Sequence, residues 1–282
     1  MEIVNKKALI VDLNKRSSEV KGLPDLRVYI GGLGLGLALY EMYRDKDPVI
    51  FSVGPLNGFF PFASKTSIVL SDDGVMEDLY IGGNLSTRMK FSGLDSIVIC
   101  GRSEDRVILD ISNTSVSIKT SDMDINTLGL PGKRSILSVD YEKNNVLVQS
   151  YFSTPDYFLY KTLSEKNIMG MVVTGTEFHK PNNFSDYENL YQNILNKINE
   201  VRVEKGIYPS CSNCPMGCGK SKFGEIGGNV LVHSLVSCHY ADKIYSDLGI
   251  VFSCLNVLGY DYTHEDLENL PVIVEETLKR LN

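Results

Sequence analysis

Short apolar, largely β-branched runs recur through the first two-thirds of the chain, at residues 8–11, 49–53, 66–70, 96–100, 106–109, 146–148 and 171–173. Each is bounded by Gly, Asp, Asn or Ser, the residues that end strands and form turns. The pattern predicts a mixed or antiparallel sheet system. Two helices interrupt it, one following the glycines of residues 31–36 through Leu39, Tyr40 and Met42, the other near residues 84–90. The period then changes. Tyr187, Leu190, Tyr191, Ile194, Leu195, Ile198 and Val201 recur at helical spacing, which predicts an amphipathic helix with one buried face. Ser185 and Glu188 stand at capping-box spacing before it. Further helices are expected over residues 231–246 and 274–281. The predicted fold class is α+β: a β-rich domain over residues 1–180, a linker at 179–183, and a small helical domain over residues 185–282.

Charge and composition narrow the function. The 282 residues carry a formal net charge of −7, so no overall basic footprint exists to hold nucleic acid or an anionic membrane. No apolar run approaches the roughly 20 residues of a membrane span. The N-terminal residues lack the apolar stretch of a signal peptide, so a cytoplasmic location is expected. Of six cysteines, Cys211, Cys214 and Cys218 fall close together, which suits a metal better than a disulfide framework.

That triplet reads C-x2-C-x3-C, with Pro215, Gly217 and Gly219 letting the backbone fold around a centre. Clustered thiolates select soft metals, and iron–sulfur clusters use such runs with a fourth cysteine from elsewhere. Cys254 is the preferred fourth ligand; Cys238, in an apolar stretch, reads as core. A structural zinc site completed by His233 or His239 is the other metal reading. Upstream, the run 31–36 contains Gly31, Gly32, Gly34 and Gly36. A glycine-rich turn opening a helix can bind phosphate through free N–H groups, or it can be a tight packing turn.

In sequence order, the 29–36 glycine segment, Leu39-Tyr40-Glu41, the 49–58 segment ending Gly54-Pro55-Leu56-Asn57-Gly58, the 90–99 segment beginning Lys90-Phe91-Ser92-Gly93-Leu94-Asp95, and Lys166-Asn167 resemble the aldehyde:ferredoxin oxidoreductase family. Cys214-Pro215-Met216-Gly217-Cys218-Gly219 matches the ending of that family's cysteine motif. The likeness runs from about Ala8 to Gly259, with a deletion near Cys238. It implies a tungsten- or molybdenum-pterin cradle, a nearby [4Fe-4S] cluster, aldehyde oxidation, and electron transfer to ferredoxin or another redox protein. Carried over by position, it implies that Gly31, Gly32, Gly34, Lys65, Gly82, Gly83, Lys166 and Asn167 contact the pterin cofactor.

The chain departs from that pattern in three ways. It is much shorter than the family's members. Lys65 stands where the family has an arginine between pterin and cluster, and Tyr80 stands where an Asn supports the metal. A glycine-rich run is replaced around Tyr157, Phe158, Leu159 and Tyr160, whose bulk blocks backbone approach to a phosphate. The expectation is therefore an oxidoreductase-family iron–sulfur protein with a degenerate pterin site, working with a partner subunit or as a homodimer. The alternative is a non-catalytic cluster or zinc protein that partners or assembles a metal–pterin enzyme. The sequence assigns no catalytic residue.

Overall fold

The computed structural model describes residues 5–225 and 228–281. The first sheet is built from β1 (Lys6–Asp12), β2 (Ser17–Leu23), β3 (Val49–Ser52), β4 (Thr66–Asp72), β5 (Val75–Ile81) and β6 (Ser96–Cys100). Its order is β2-β1-β6-β3-β4-β5, parallel between β1 and β6 and antiparallel elsewhere. The second sheet comprises β7 (Val107–Ser112), β8 (Ser115–Thr120), β9 (Arg134–Asp140), β10 (Asn145–Val148) and β11 (Ile168–Thr174), in the order β10-β9-β11-β7-β8. Helices α1 (Gly32–Tyr43), α2 (Leu85–Phe91) and α3 (Phe158–Glu165) are interspersed with the strands. After β11 the regular elements among the described residues are helical: α4 (Phe184–Asn196), α5 (Val230–Ser234), α6 (Asp242–Tyr245), α7 (Leu248–Val257) and α8 (His264–Leu281), with 3-10 turns between them. The α+β class expected from the sequence is the one observed.

Strand alternation explains the layering. Successive side chains on a strand point to opposite faces, so Ala8, Ile10, Ile50, Val69 and Val98 join one core with α1 and the C-terminal helices. Their neighbours Leu9, Val49, Phe51, Ile68 and Ile97 join another core with Leu109, Leu137 and Val173 of the second sheet. The central strands β1, β6, β3 and β4 are thus buried on both faces, which accounts for their unbroken apolar runs. The helices and the sheet share one core, in which Leu235, Leu255 and Leu270 sit with Val69.

Three local expectations change. Helix α4 is capped by Asn183, whose side chain accepts from the Ser185 and Asp186 N–H groups, in place of the Ser185–Glu188 box. Asn183 bonds backbone N–H groups two and three residues on, the preferred geometry for this residue type. The stretch 231–246 breaks into α5, a 3-10 turn and α6. Cys254, which the sequence places at a helix start or turn, lies in the interior of α7.

A buried ionic group joins the layers. Lys90 Nζ lies 3.3 Å from Asp95 Oδ1 and donates to Tyr260 Oη at 3.0 Å. The Lys7 N–H donates to Asp95 at 2.9 Å. Burial would raise the Asp95 pKa, but the charges of Lys90 and Lys6 overcome it and hold the carboxyl below its usual value. A depressed folded-state pKa contributes stability above the ordinary carboxylate pKa and loses it as pH falls through the depressed one. Asp95→Asn should cost about 3 kcal/mol at neutral pH, because it leaves buried ammonium groups without a counter-charge. It should also flatten the acid limb of stability against pH below about pH 4. Urea unfolding across pH checks both.

Candidate metal centre

The cysteine loop is a folded turn. Gly206 N–H donates to Met216 O at 2.8 Å and Tyr208 N–H to Gly217 O at 3.0 Å, closing its base. Inside, Cys214 N–H donates to Cys211 O and Ser221 N–H to Cys218 O, both at 3.1 Å. Gly217 adopts φ +48°, a left-handed conformation that is cheapest for glycine, and its N–H is held by Ser210 Oγ at 2.9 Å. Cys211, Cys214 and Cys218 line one small cavity, together with Ser64, Lys65, Cys238 and Tyr240.

The fourth thiol in that cavity is Cys238. It arrives on the segment after α5, where its N–H donates to Phe62 O at 2.9 Å. Cys254, the ligand expected from the sequence, is fully buried in α7 among the helical core residues and does not line the cavity. Its thiol is pushed up by burial alone, the environment of an inert core cysteine. Burial also raises the Cys214 thiol, to about 12, with help from Cys211 and Cys218. Burial and the Glu225 charge raise Cys238. Such thiols ionise readily only against a positive centre, and a bound metal supplies one.

Lys65, in the cavity wall, is paired with Glu225 behind it. Lys65 Nζ lies 3.0 Å from Glu225 Oε1, with both side chains buried. Burial works against the Lys65 charge, but Glu225, Cys211 and Cys238 outweigh it and raise the pKa. Glu225 accepts from the His239 N–H at 2.7 Å, and its other oxygen is 3.6 Å from Cys238 Sγ. Burial would raise its pKa, but Lys65 and the His239 N–H hold it down. Glu225 was not singled out from the sequence, although it is the one acidic residue between Lys205 and Ala241. Among the described residues, no three His, Cys, Asp or Glu side chains could hold a single metal ion. His233 packs against the Tyr80 ring at 3.9 Å and stacks with His239, so the single-zinc arrangement gains no geometric support.

The glycine turn is filled by protein. An added Cβ at Gly31 would lie 2.8 Å from Val53 O and 3.1 Å from Ser234 O. At Gly32 it would strike His233 O and Val236, and at Gly54 the Leu235 backbone. The donors are also engaged: Gly32 N–H donates to Val53 O at 3.1 Å and Gly34 N–H to Ser234 Oγ at 3.4 Å. Residues 233–236 therefore lie against this turn, the packing arrangement that the sequence left open beside a phosphate site.

The remaining sequence-predicted residues serve other contacts. At Gly82 a Cβ would meet Cys211 Sγ at 2.6 Å, and Gly83 O accepts from the Ser212 N–H at 3.0 Å. Both glycines thus seat the cysteine loop. Lys166 Nζ pairs with Asp47 Oδ2 at 2.5 Å and donates to Gly101 O at 3.3 Å, while Asn167 donates to Ser103 O at 2.7 Å. They fix the entry to β11. The substituted run at 157–160 begins α3, whose Leu159 and Leu163 enter the inter-sheet core.

Gly82→Ala should displace Cys211 and cut iron uptake on anaerobic reconstitution several-fold, with modest loss of fold stability. Iron-to-protein ratio and thermal unfolding separate the two effects. Lys65→Met should cost about 3–5 kcal/mol by stranding Glu225. The double change Lys65→Met with Glu225→Leu should recover much of it, as a denaturant double-mutant cycle would measure.

Residues 8–145 match the family model "Aldehyde ferredoxin oxidoreductase, N-terminal domain". A curated relative, "Aliphatic sulfonate oxidoreductase, WOR-like subunit" of Pyrococcus furiosus, is 33% identical over 135 residues, covering 42% of this chain and 21% of that protein. A solved structure, "Active site complex BamBC of Benzoyl Coenzyme A reductase in complex with 1,5 Dienoyl-CoA", has a similar fold over 98% of this chain and 63% of its own, with TM-score 0.63 and 15% identity. The chain thus spans about a fifth of the curated relative and under two-thirds of the structural one. The family match ends before the cysteine loop.

Proposed function

Because the chain carries the aldehyde ferredoxin oxidoreductase N-terminal domain over residues 8–145, we propose that it is an iron–sulfur electron-transfer module of that family without a working pterin site. The observation that supports this reading is that Cys211, Cys214, Cys218 and Cys238 all line one small cavity. Four cysteine thiolates are the ordinary ligand set of a [4Fe-4S] cluster, and the donor set fits that group. When bound, the cluster supplies one-electron storage.

The chain's own groups do the rest. Cys211, Cys214 and Cys218 would hold three corners from one loop, and Cys238 the fourth. Lys65 sets a positive charge beside four thiolates and offsets part of their mutual repulsion. Glu225 fixes the Lys65 ammonium and the His239 N–H together, which orients the turn that delivers Cys238. Lys65 and Glu225 are themselves buried, so their charges act in a low-dielectric setting.

The pterin expected from the family resemblance does not fit the residues present. The backbone of 233–236 fills the space at Gly31, Gly32 and Gly54, and the helix-terminal donors are engaged there. Lys65 is committed to Glu225, and Lys166 to Asp47. Substrate chemistry, tungsten or molybdenum would belong to a partner subunit, in keeping with the word "subunit" in the curated relative's name. A soluble redox protein such as ferredoxin is the proposed electron partner. Among the described residues no helix is long and apolar enough to cross a membrane.

Single Cys→Ser changes test the reading. Cys211→Ser, Cys214→Ser, Cys218→Ser and Cys238→Ser should each lose the broad visible absorbance and most of the acid-labile sulfide of anaerobically reconstituted protein. Cys254→Ser should keep both. A cluster that survives Cys238→Ser and is lost with Cys254→Ser would reverse the assignment.

A further inference from the structure

The outer surface of the cysteine loop has a composition unlike the rest of the chain. From Lys205 to Phe223 there are three lysines and no Asp or Glu, in a protein of net charge −7. Lys205, Lys220 and Lys222 are all exposed. Between them stand large apolar side chains facing solvent: Ile207 is 99% exposed, Tyr208 54% and Phe223 53%. Scattered apolar exposure is ordinary, but these residues are held together. The Tyr208 ring lies 3.3 Å from the Cβ position of Gly219, Ser221 Oγ donates to Pro209 O at 2.7 Å, and Lys222 Nζ sits 5.4 Å from the Phe223 ring centre. The two strands of the loop therefore present one continuous face. The acidic residues nearest in sequence are Glu225, buried and paired with Lys65 at 3.0 Å, and Glu204, exposed at the rim.

We propose that this face, centred on Ile207, Tyr208 and Phe223 and ringed by Lys205, Lys220 and Lys222, docks an acidic redox protein. An apolar centre with a charged rim is the usual anatomy of a specific interface. A basic patch attracts an acidic partner over long range. Position supplies the purpose. Cys218 is two residues from Lys220, and Cys211 three from Tyr208, so a partner seated here lies against the wall of the thiol cavity. Lys220 also lines that cavity, so a partner seated here would lie beside any redox centre it held. The proposal rests on the cluster reading but concerns a surface that exists with or without iron.

The test is direct binding, measured by calorimetry on the full chain with two probes of opposite charge, a strongly acidic bacterial two-cluster ferredoxin and a basic cytochrome c. The ferredoxin should bind the unaltered chain, with affinity falling about tenfold or more between low and physiological salt. Lys220→Glu with Lys222→Glu should weaken it by at least about tenfold at low salt, and Ile207→Ser should weaken it with the salt dependence unchanged. Cytochrome c should bind the unaltered chain poorly and the charge-reversed chain better. Ferredoxin binding that is absent, salt-independent, or unchanged by charge reversal overturns the proposal. Iron and sulfide content of the same samples is read separately: normal cluster with no docking rejects this surface alone, whereas docking without any cluster-forming capacity rejects the cluster reading alone.

Discussion

The close approach of residues 233–236 to Gly31, Gly32 and Gly54 is the contact on which the rest of the site depends. Backbone can meet backbone there only because no side chain intervenes. Val236, with φ +51°, turns the chain at that point. Its carbonyl accepts from the Lys65 N–H at 3.1 Å, and Asn57 binds the carbonyls of Ala63 and Lys65 while its Oδ1 accepts from Gly54 N–H. Two residues later Cys238 is delivered to the thiol cavity. One docking event thus has two consequences: it occupies the glycine turn and completes a four-cysteine set. On this account, closing the cofactor cleft and building the cluster site are the same structural change.

The buried charges follow from that closure. A lysine beside a cluster of thiols would be costly without a counter-charge. Glu225 supplies it from a strand-like segment bridged to Tyr80. The pair holds three pieces of chain that are far apart in sequence: the β3–β4 connection through Lys65, the segment after the cysteine loop through Glu225, and the His239 turn through its N–H. Its value lies in fixing geometry, because a buried ion pair contributes little net stability over a well-packed apolar replacement.

Much of the fold was legible in the chain. The β-branched runs of β1, β3, β4, β6 and β11 are local signals, and the change of period near residue 184 announced α4. Strands β2, β5, β8 and β9 were not anticipated, since mixed polar faces weaken the apolar signal that marked the others. At the site, the spacing of Cys211, Cys214 and Cys218 was a strong local sign. That Cys238 lines the cavity and Cys254 does not has no local signature, because an apolar neighbourhood suits either a buried ligand or a packing residue and only long-range contacts decide. The glycine run stayed open between a phosphate site and a packing turn because both use the same residue type, and the contacts of 233–236 show the packing. Lys65 was noticed as a changed residue, but its partner Glu225, 160 positions on, has no local signature.

The most direct measurement is anomalous X-ray scattering at the iron edge from crystals of anaerobically prepared protein, with tungsten and molybdenum edges recorded on the same crystals. The account predicts iron between the sulfurs of Cys211, Cys214, Cys218 and Cys238, with residues 233–236 seated against Gly31, Gly32 and Gly54 and no heavier metal. A metal–pterin in the glycine cleft with 233–236 displaced, or iron held through Cys254, would contradict it.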